Sequence, residues 1–138
     1  MKFYIGSSFY NVDHVRQLRD RLIEQGHTHT YDWTVNERAA TIEDLRDIGA
    51  KEFEAIRTSN FVVTLLPAGK SSHVELGIAL GADVPLFIHD AANRFDDFET
   101  TSTFYHLPHV IKLTGPLEDI PSCIAAHYVT SYVKQDSL

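Results

Sequence analysis

A single cysteine, Cys123, leaves this 138-residue chain unable to close a disulfide within itself. It lies in a largely apolar helical neighbourhood and reads as a core residue, and no Cys/His spacing of the zinc-binding kind occurs. Basic residues are also scarce. Twelve Lys and Arg against 19 Asp and Glu give a formal charge of -7, which excludes an extended nucleic-acid groove, because such grooves need clustered cations to displace counterions from phosphates. One small anionic ligand is still compatible with that charge. No apolar run approaches the roughly 20 residues that span a bilayer, so no membrane partner is expected. Repeats and low-complexity tracts are absent. The length is that of one domain, residues 1–138, and the opening Met1 to Gly6 goes straight into a strand pattern without a signal-peptide core, so a cytoplasmic location is the expectation.

What is present is an alternation of strand and helix patterns. Phe3 to Ile5 is a short apolar strand ending in Gly6-Ser7-Ser8. Val12, Val15, Leu18 and Leu22 then recur at helical spacing within Asn11 to Gln25, which Gly26 closes. His27 to Thr34 alternates polar and aromatic residues and predicts a second strand. A helix follows from Thr41 to about Thr58, opened by a capping box with Asp44 and carrying Ile42, Leu45, Ile48, Ala55 and Ile56 as its apolar face. Phe61 to Leu66 is the most apolar strand. After it come a helix from Ser72 to Leu80, a strand from Val84 to Ile88, an irregular stretch from His89 to His109, a strand from Val110 to Leu113 and a helix from Pro121 to Val133. Gln135 to Leu138 read as frayed.

This alternation predicts an α/β fold, a five-stranded parallel flavodoxin-like (Rossmann-like) sheet with helices on both faces and strand order 2-1-3-4-5. Ligands of such sheets bind beyond the carboxyl ends of the strands where the strand order reverses, here between the first and third strands. Two loops converge there: Gly6-Ser7-Ser8, and Pro67-Ala68-Gly69-Lys70-Ser71-Ser72 leading to Glu75. With Ser71 or Ser72 as the N-cap, Glu75 falls in about the first turn of its helix, where the dipole and free amides keep a carboxylate ionised. An ionised carboxylate in a pocket can attack a glycosidic carbon through an oxocarbenium-like transition state. The free amides of Gly69 to Ser72 suit a phosphate or a sugar hydroxyl. The competing reading of Glu75 is an electrostatic helix cap.

Phe3-Tyr4-Ile5-Gly6-Ser7-Ser8-Phe9, Phe53-Glu54-Ala55-Ile56, Asn60-Phe61-Val62-Val63 and Ser72-His73-Val74-Glu75-Leu76-Gly77, in that order and spacing, resemble the nucleoside 2-deoxyribosyltransferase-like family over most of the chain. The resemblance implies that Glu75 is a nucleophile that cleaves the N-glycosidic bond of a 2'-deoxynucleoside or its 5'-monophosphate. Deoxyribose would be held on Glu75 and passed to a base or to water. Gly6, Ser7, Ser8, Phe9, Gly69, Lys70, Ser71 and Ser72, at the converging loops, are the candidate substrate-binding residues, and the resemblance further implies that Ser102 and Phe104 complete the pocket of a neighbouring copy in a homodimer or larger homo-oligomer. The acid of the preceding helix corresponds to Glu52. The family's Asp shortly before the nucleophile is replaced by Gly69 and Lys70, so His73, whose ordinary pKa is near neutrality, is a candidate for the proton work. Tyr10, Asp32 and Trp33 are candidates to approach the base. His27 with His29 and His106 with His109 lack a third ligand, so no metal and no cofactor is expected. Two other readings stay open: a TIR-like enzyme that cleaves NAD with a Glu on the same kind of sheet, and a non-catalytic module that binds a nucleotide signal.

Overall fold

The computed structural model describes the backbone of residues 1–136 and the side chains of residues 1–130. Five strands, β1 (Lys2–Ser7), β2 (Thr28–His29), β3 (Phe61–Leu65), β4 (Leu86–His89) and β5 (Ile111–Leu113), form one sheet in the order β2-β1-β3-β4-β5. Every pairing is parallel. The helices are α1 (Val12–Glu24), α2 (Ile42–Arg57), α3 (Lys70–Gly81) and α4 (Ile120–Asp136). This is the flavodoxin-like order that the sequence predicts. The closing helix reaches Asp136, so Gln135 is helical rather than frayed; Ser137 and Leu138 lie outside the described residues.

The sheet is buried on both faces, and the period of two along each strand decides which side chain goes where. Tyr4, Val62, Leu86 and Ile88 face α2 and α3, packing with Ala55, Ile56, Leu76 and Ala79. Phe3, Ile5, Phe61, Val63 and Phe87 face the other way, onto Val15, Leu18 and Leu22 of α1 and Ile120 and Ile124 of α4. Tyr4 is therefore the β1 side chain that lies on the α2/α3 face, one position from residues that lie on the opposite one.

Two further expectations are corrected. The second strand is only Thr28–His29, and the segment after it turns into a short 3-10 helix at Trp33–Val35. The cause is local: the Asp32 side chain accepts from the backbone and hydroxyl of Thr34, which bends the chain, and Trp33 Nε1 then donates to Ile5 O at 2.7 Å. Trp33 so occupies the edge of β1 that a longer strand would have covered. In α2, Ala55 and Ile56 are buried but Ile42 and Leu45 are 71% and 56% exposed. Sixteen residues of helix run to about 24 Å, longer than the roughly 17 Å of a five-residue strand, so the first turns of α2 have no sheet beneath them. The capping box of Thr41 and Asp44 is present as expected.

Candidate functional site

Strand order reverses between β1 and β3, and a pocket of about 290 Å³ lies at their carboxyl ends, lined by Ser7, Ser8, Phe9, Trp33, Glu52, Gly69, Lys70, Ser71, Ser72 and Glu75. The loops predicted to converge do converge. Gly6 lies behind the pocket: a Cβ there would sit 2.9 Å from Glu75 Oε2, so only glycine lets the carboxylate come this close to β1.

Glu75 is 8% exposed, the sixth residue of α3. Helix α3 begins at Lys70 with Gly69 as its N-cap, earlier than Ser71 or Ser72 would have set it, so Glu75 lies in the second turn rather than the first. The expectation of a simply ionised carboxylate is corrected for the same reason. The dipole's effect fades beyond the first turn, whereas burial acts in full. Desolvation first, then the hydrogen-bonded carboxyl of Glu52, hold Glu75 far above the ordinary carboxylate range. Against them, Tyr4 donates from its hydroxyl to Glu75 Oε1 at 2.7 Å, which favours the anion. The same hydroxyl is 3.4 Å from Glu52 Oε2. Tyr4 itself is pushed far above the usual phenol range, by burial and then by the two carboxylates, and so remains a donor. Glu52, from α2, is half-buried on the pocket wall. Two carboxyl groups and a phenol thus form one hydrogen-bonded unit, and two carboxylates in contact are most stable with one proton between them.

The remaining predicted residues divide into two sets. Ser7 is tied to the framework: its hydroxyl donates to Leu65 O at 2.8 Å and accepts from Asn11 Nδ2. Ser72 is buried and closes on Gly69, accepting from its N–H at 2.6 Å and donating to its carbonyl at 3.1 Å. Ser8 caps the short 3-10 helix Phe9–Asn11, and Phe9 stands 76% exposed at the pocket mouth. Lys70 and Ser71 are exposed on the rim. His73, Ser102 and Phe104 are not in this pocket. His73 is two residues before Glu75 on α3 and so points to another side of the helix; its ring contacts Gly69 O and the Tyr105 hydroxyl. Ser102 and Phe104 lie along an apolar groove beyond α3, with His73, Val74 and Gly77. Tyr10 and Asp32 do not line the pocket, whereas Trp33 does.

Tyr4 is the residue that sequence reasoning missed. Its signal was available: a phenol within a largely apolar buried strand needs a hydrogen-bond partner, and its parity places it on the α2/α3 face. Among the described residues, no group of three or more His, Cys, Asp or Glu could hold a metal ion, and no helix is long and apolar enough to cross a membrane.

Fold and site together define a parallel α/β protein with a paired-carboxylate pocket at its topological switch point. Solved structures share this fold. A CMP N-glycosidase from Clostridium botulinum superposes with a TM-score of 0.58 over 91% of this chain and 99% of its own, at 11% sequence identity. A 2-deoxyribosyltransferase from Bacillus psychrosaccharolyticus gives 0.62 over 88% of this chain and 90% of its own, at 13% identity. No protein-family profile and no curated protein matches the sequence.

Proposed function

We propose that this chain is a nucleoside 2-deoxyribosyltransferase-like enzyme that cleaves the N-glycosidic bond of a 2'-deoxynucleoside or its 5'-monophosphate, with Glu75 as nucleophile. The observation that carries this reading is the Tyr4–Glu75–Glu52 unit, which holds a nucleophile and a proton donor against one small pocket. Two proteins of the same fold, one a CMP N-glycosidase and one a 2-deoxyribosyltransferase, support the class of bond. In the first step a Glu75 oxygen bonds to C1' as the C1'–N bond breaks; the bond's electron pair leaves with the base, which takes the proton that the carboxyl pair shares. In the second, water or an acceptor base attacks C1', the C1'–O bond to Glu75 breaks, and the proton of the incoming group returns to the carboxyl pair. Tyr4 steadies the anionic form of Glu75 before the attack and again as the ester breaks. The loop amides after Gly69 suit a sugar hydroxyl or a 5'-phosphate.

Ligand pockets usually run from about 300 to 1,000 Å³, so the pocket of one chain accommodates a sugar and little more. This supports a homo-oligomer in which Ser102 and Phe104 of a neighbouring copy close the base side; Phe104 is 58% exposed in the single chain.

The test is incubation with deoxynucleosides, their monophosphates, ribonucleotides and NAD, with and without an acceptor base, followed by chromatography. Release of base from a deoxynucleoside or its monophosphate, a deoxyribosyl adduct on the intact protein, and loss of both in Glu75→Ala are expected. Normal turnover by Glu75→Ala overturns the nucleophile. Nicotinamide release from NAD alone, or tight binding with no turnover, overturns the substrate class.

A further inference from the structure

The carbonyl of Gly69, at the N-cap of α3, receives three donors. The backbone N–H of His73 donates at 3.1 Å, the Ser72 hydroxyl at 3.1 Å, and His73 Nδ1 lies 2.8 Å away. Because a carbonyl oxygen only accepts, Nδ1 carries the hydrogen. Nε2 of a neutral ring is then an acceptor, and the Tyr105 hydroxyl, 2.7 Å off, donates to it. The two rings also stack, with centroids 5.9 Å apart and planes 12° from parallel. Tyr105 is 3% exposed within the core and is held by the short 3-10 helix Thr103–His106. A chain of hydrogen bonds therefore runs from a fixed core phenol, through an otherwise exposed imidazole, to the peptide that opens α3.

We propose that His73, oriented by Tyr105, is a positioning residue for the Glu75 pocket: it fixes the Gly69–Lys70 peptide so that the first amides of α3 stand ready for the substrate. This rests on the functional reading above and goes beyond it, replacing proton transfer by His73 with control of loop geometry. The physical reason is that the Gly69 carbonyl and the Lys70 N–H belong to one planar peptide unit. Holding the oxygen on the His73 side holds the N–H on the other. Glycine at the cap has no side chain to restrict the unit, so the restraint has to come from partners. The chain also joins the β4–β5 connection, which carries Ser102 and Phe104, to the loop that rims the pocket.

The experiment compares His73→Ala, His73→Asn and Tyr105→Phe with the wild type in steady-state kinetics on the best substrate and in amide hydrogen exchange at position 69 and position 73, whose N–H groups are the hydrogen-bonded ones at this cap. His73→Ala is expected to lower kcat/KM by about 10- to 100-fold, the scale of a small misplacement of binding groups, mainly through KM, and to speed exchange at both amides. Asn can place its amide N–H near the position of Nδ1–H and is expected to recover most of both losses. Tyr105→Phe is expected to give a smaller change of the same sign, with the imidazole tautomer, read from its nitrogen-15 shifts, no longer purely Nδ1–H. Unchanged exchange in His73→Ala overturns the proposal, whether or not activity falls, as does failure of His73→Asn to recover either loss. If the wild type turns over nothing, the functional reading fails by itself and exchange still decides the positioning role.

Discussion

Tyr4 and Glu75 are 71 positions apart in the chain and 2.7 Å apart in the fold, and the protonation of the carboxylate depends on that contact. Removing the phenol in Tyr4→Phe takes away the donor that favours the Glu75 anion, so the pKa of Glu75 rises further. The acid limb of the kcat/KM profile is expected to move to higher pH, with a loss at neutral pH of about 100-fold, the usual cost of one donor to a reacting anion; a pH–rate profile checks both. Glu75 also weighs on stability. Its folded pKa is raised above the unfolded one, so the folded state binds the extra proton between the two values and stability falls as pH rises through that window. Glu75→Gln removes the burden, and its thermal midpoint at neutral pH is expected to exceed the wild type by about 3–8 °C, the scale of a single stabilising substitution, while the same measurement near pH 4 shows little difference. Glu75 was legible in the sequence from its place after strand and loop. The shared proton was not, because it depends on burial and on Glu52, which lies on a different element.

The β2 edge shows how one short element depends on its contacts. His29 stacks on Phe3 at 4.7 Å, and among the described residues its buried Nε2 has no hydrogen-bond partner. Burial chiefly lowers its pKa, with Asp32 opposing and Arg19 assisting; those two are themselves paired at 2.7 Å. The folded pKa lies below the ordinary histidine value, so stability is fully present above about pH 6.5 and is lost as pH falls through the folded value. Trp33, the only tryptophan, follows on the same segment and reports this. Its emission is expected to shift on mild acidification, less so in His29→Gln, and an equal shift in that variant counts against the assignment. The alternation of His27 to Thr34 announced a strand at this edge. It did not announce that Asp32 would bend the chain after two paired residues, since that is decided by side-chain hydrogen bonds competing with the ladder.

At the scale of the whole molecule, the groove holding Ser102 and Phe104 lies outside its own chain's pocket. If these residues serve a neighbouring copy, Phe104→Asp is expected to weaken self-association by about 2 kcal/mol or more, as loss of an interface aromatic does, and to lower kcat/KM in parallel. Sedimentation at several concentrations measures the first; a wild type that is monomeric at every concentration removes this role. The sequence by itself determined the layer architecture, the order of five parallel strands and the meeting of the loops after β1 and β3, because period-two and period-3.6 patterns and loop residues are local properties. Only the tertiary structure decided that Tyr4 joins Glu52 and Glu75, that His73 turns away toward Gly69 and Tyr105, and that the first turns of α2 stand clear of the sheet. Each of these depends on which buried groups are brought within hydrogen-bonding distance across the chain, and their desolvation then determines where a proton resides.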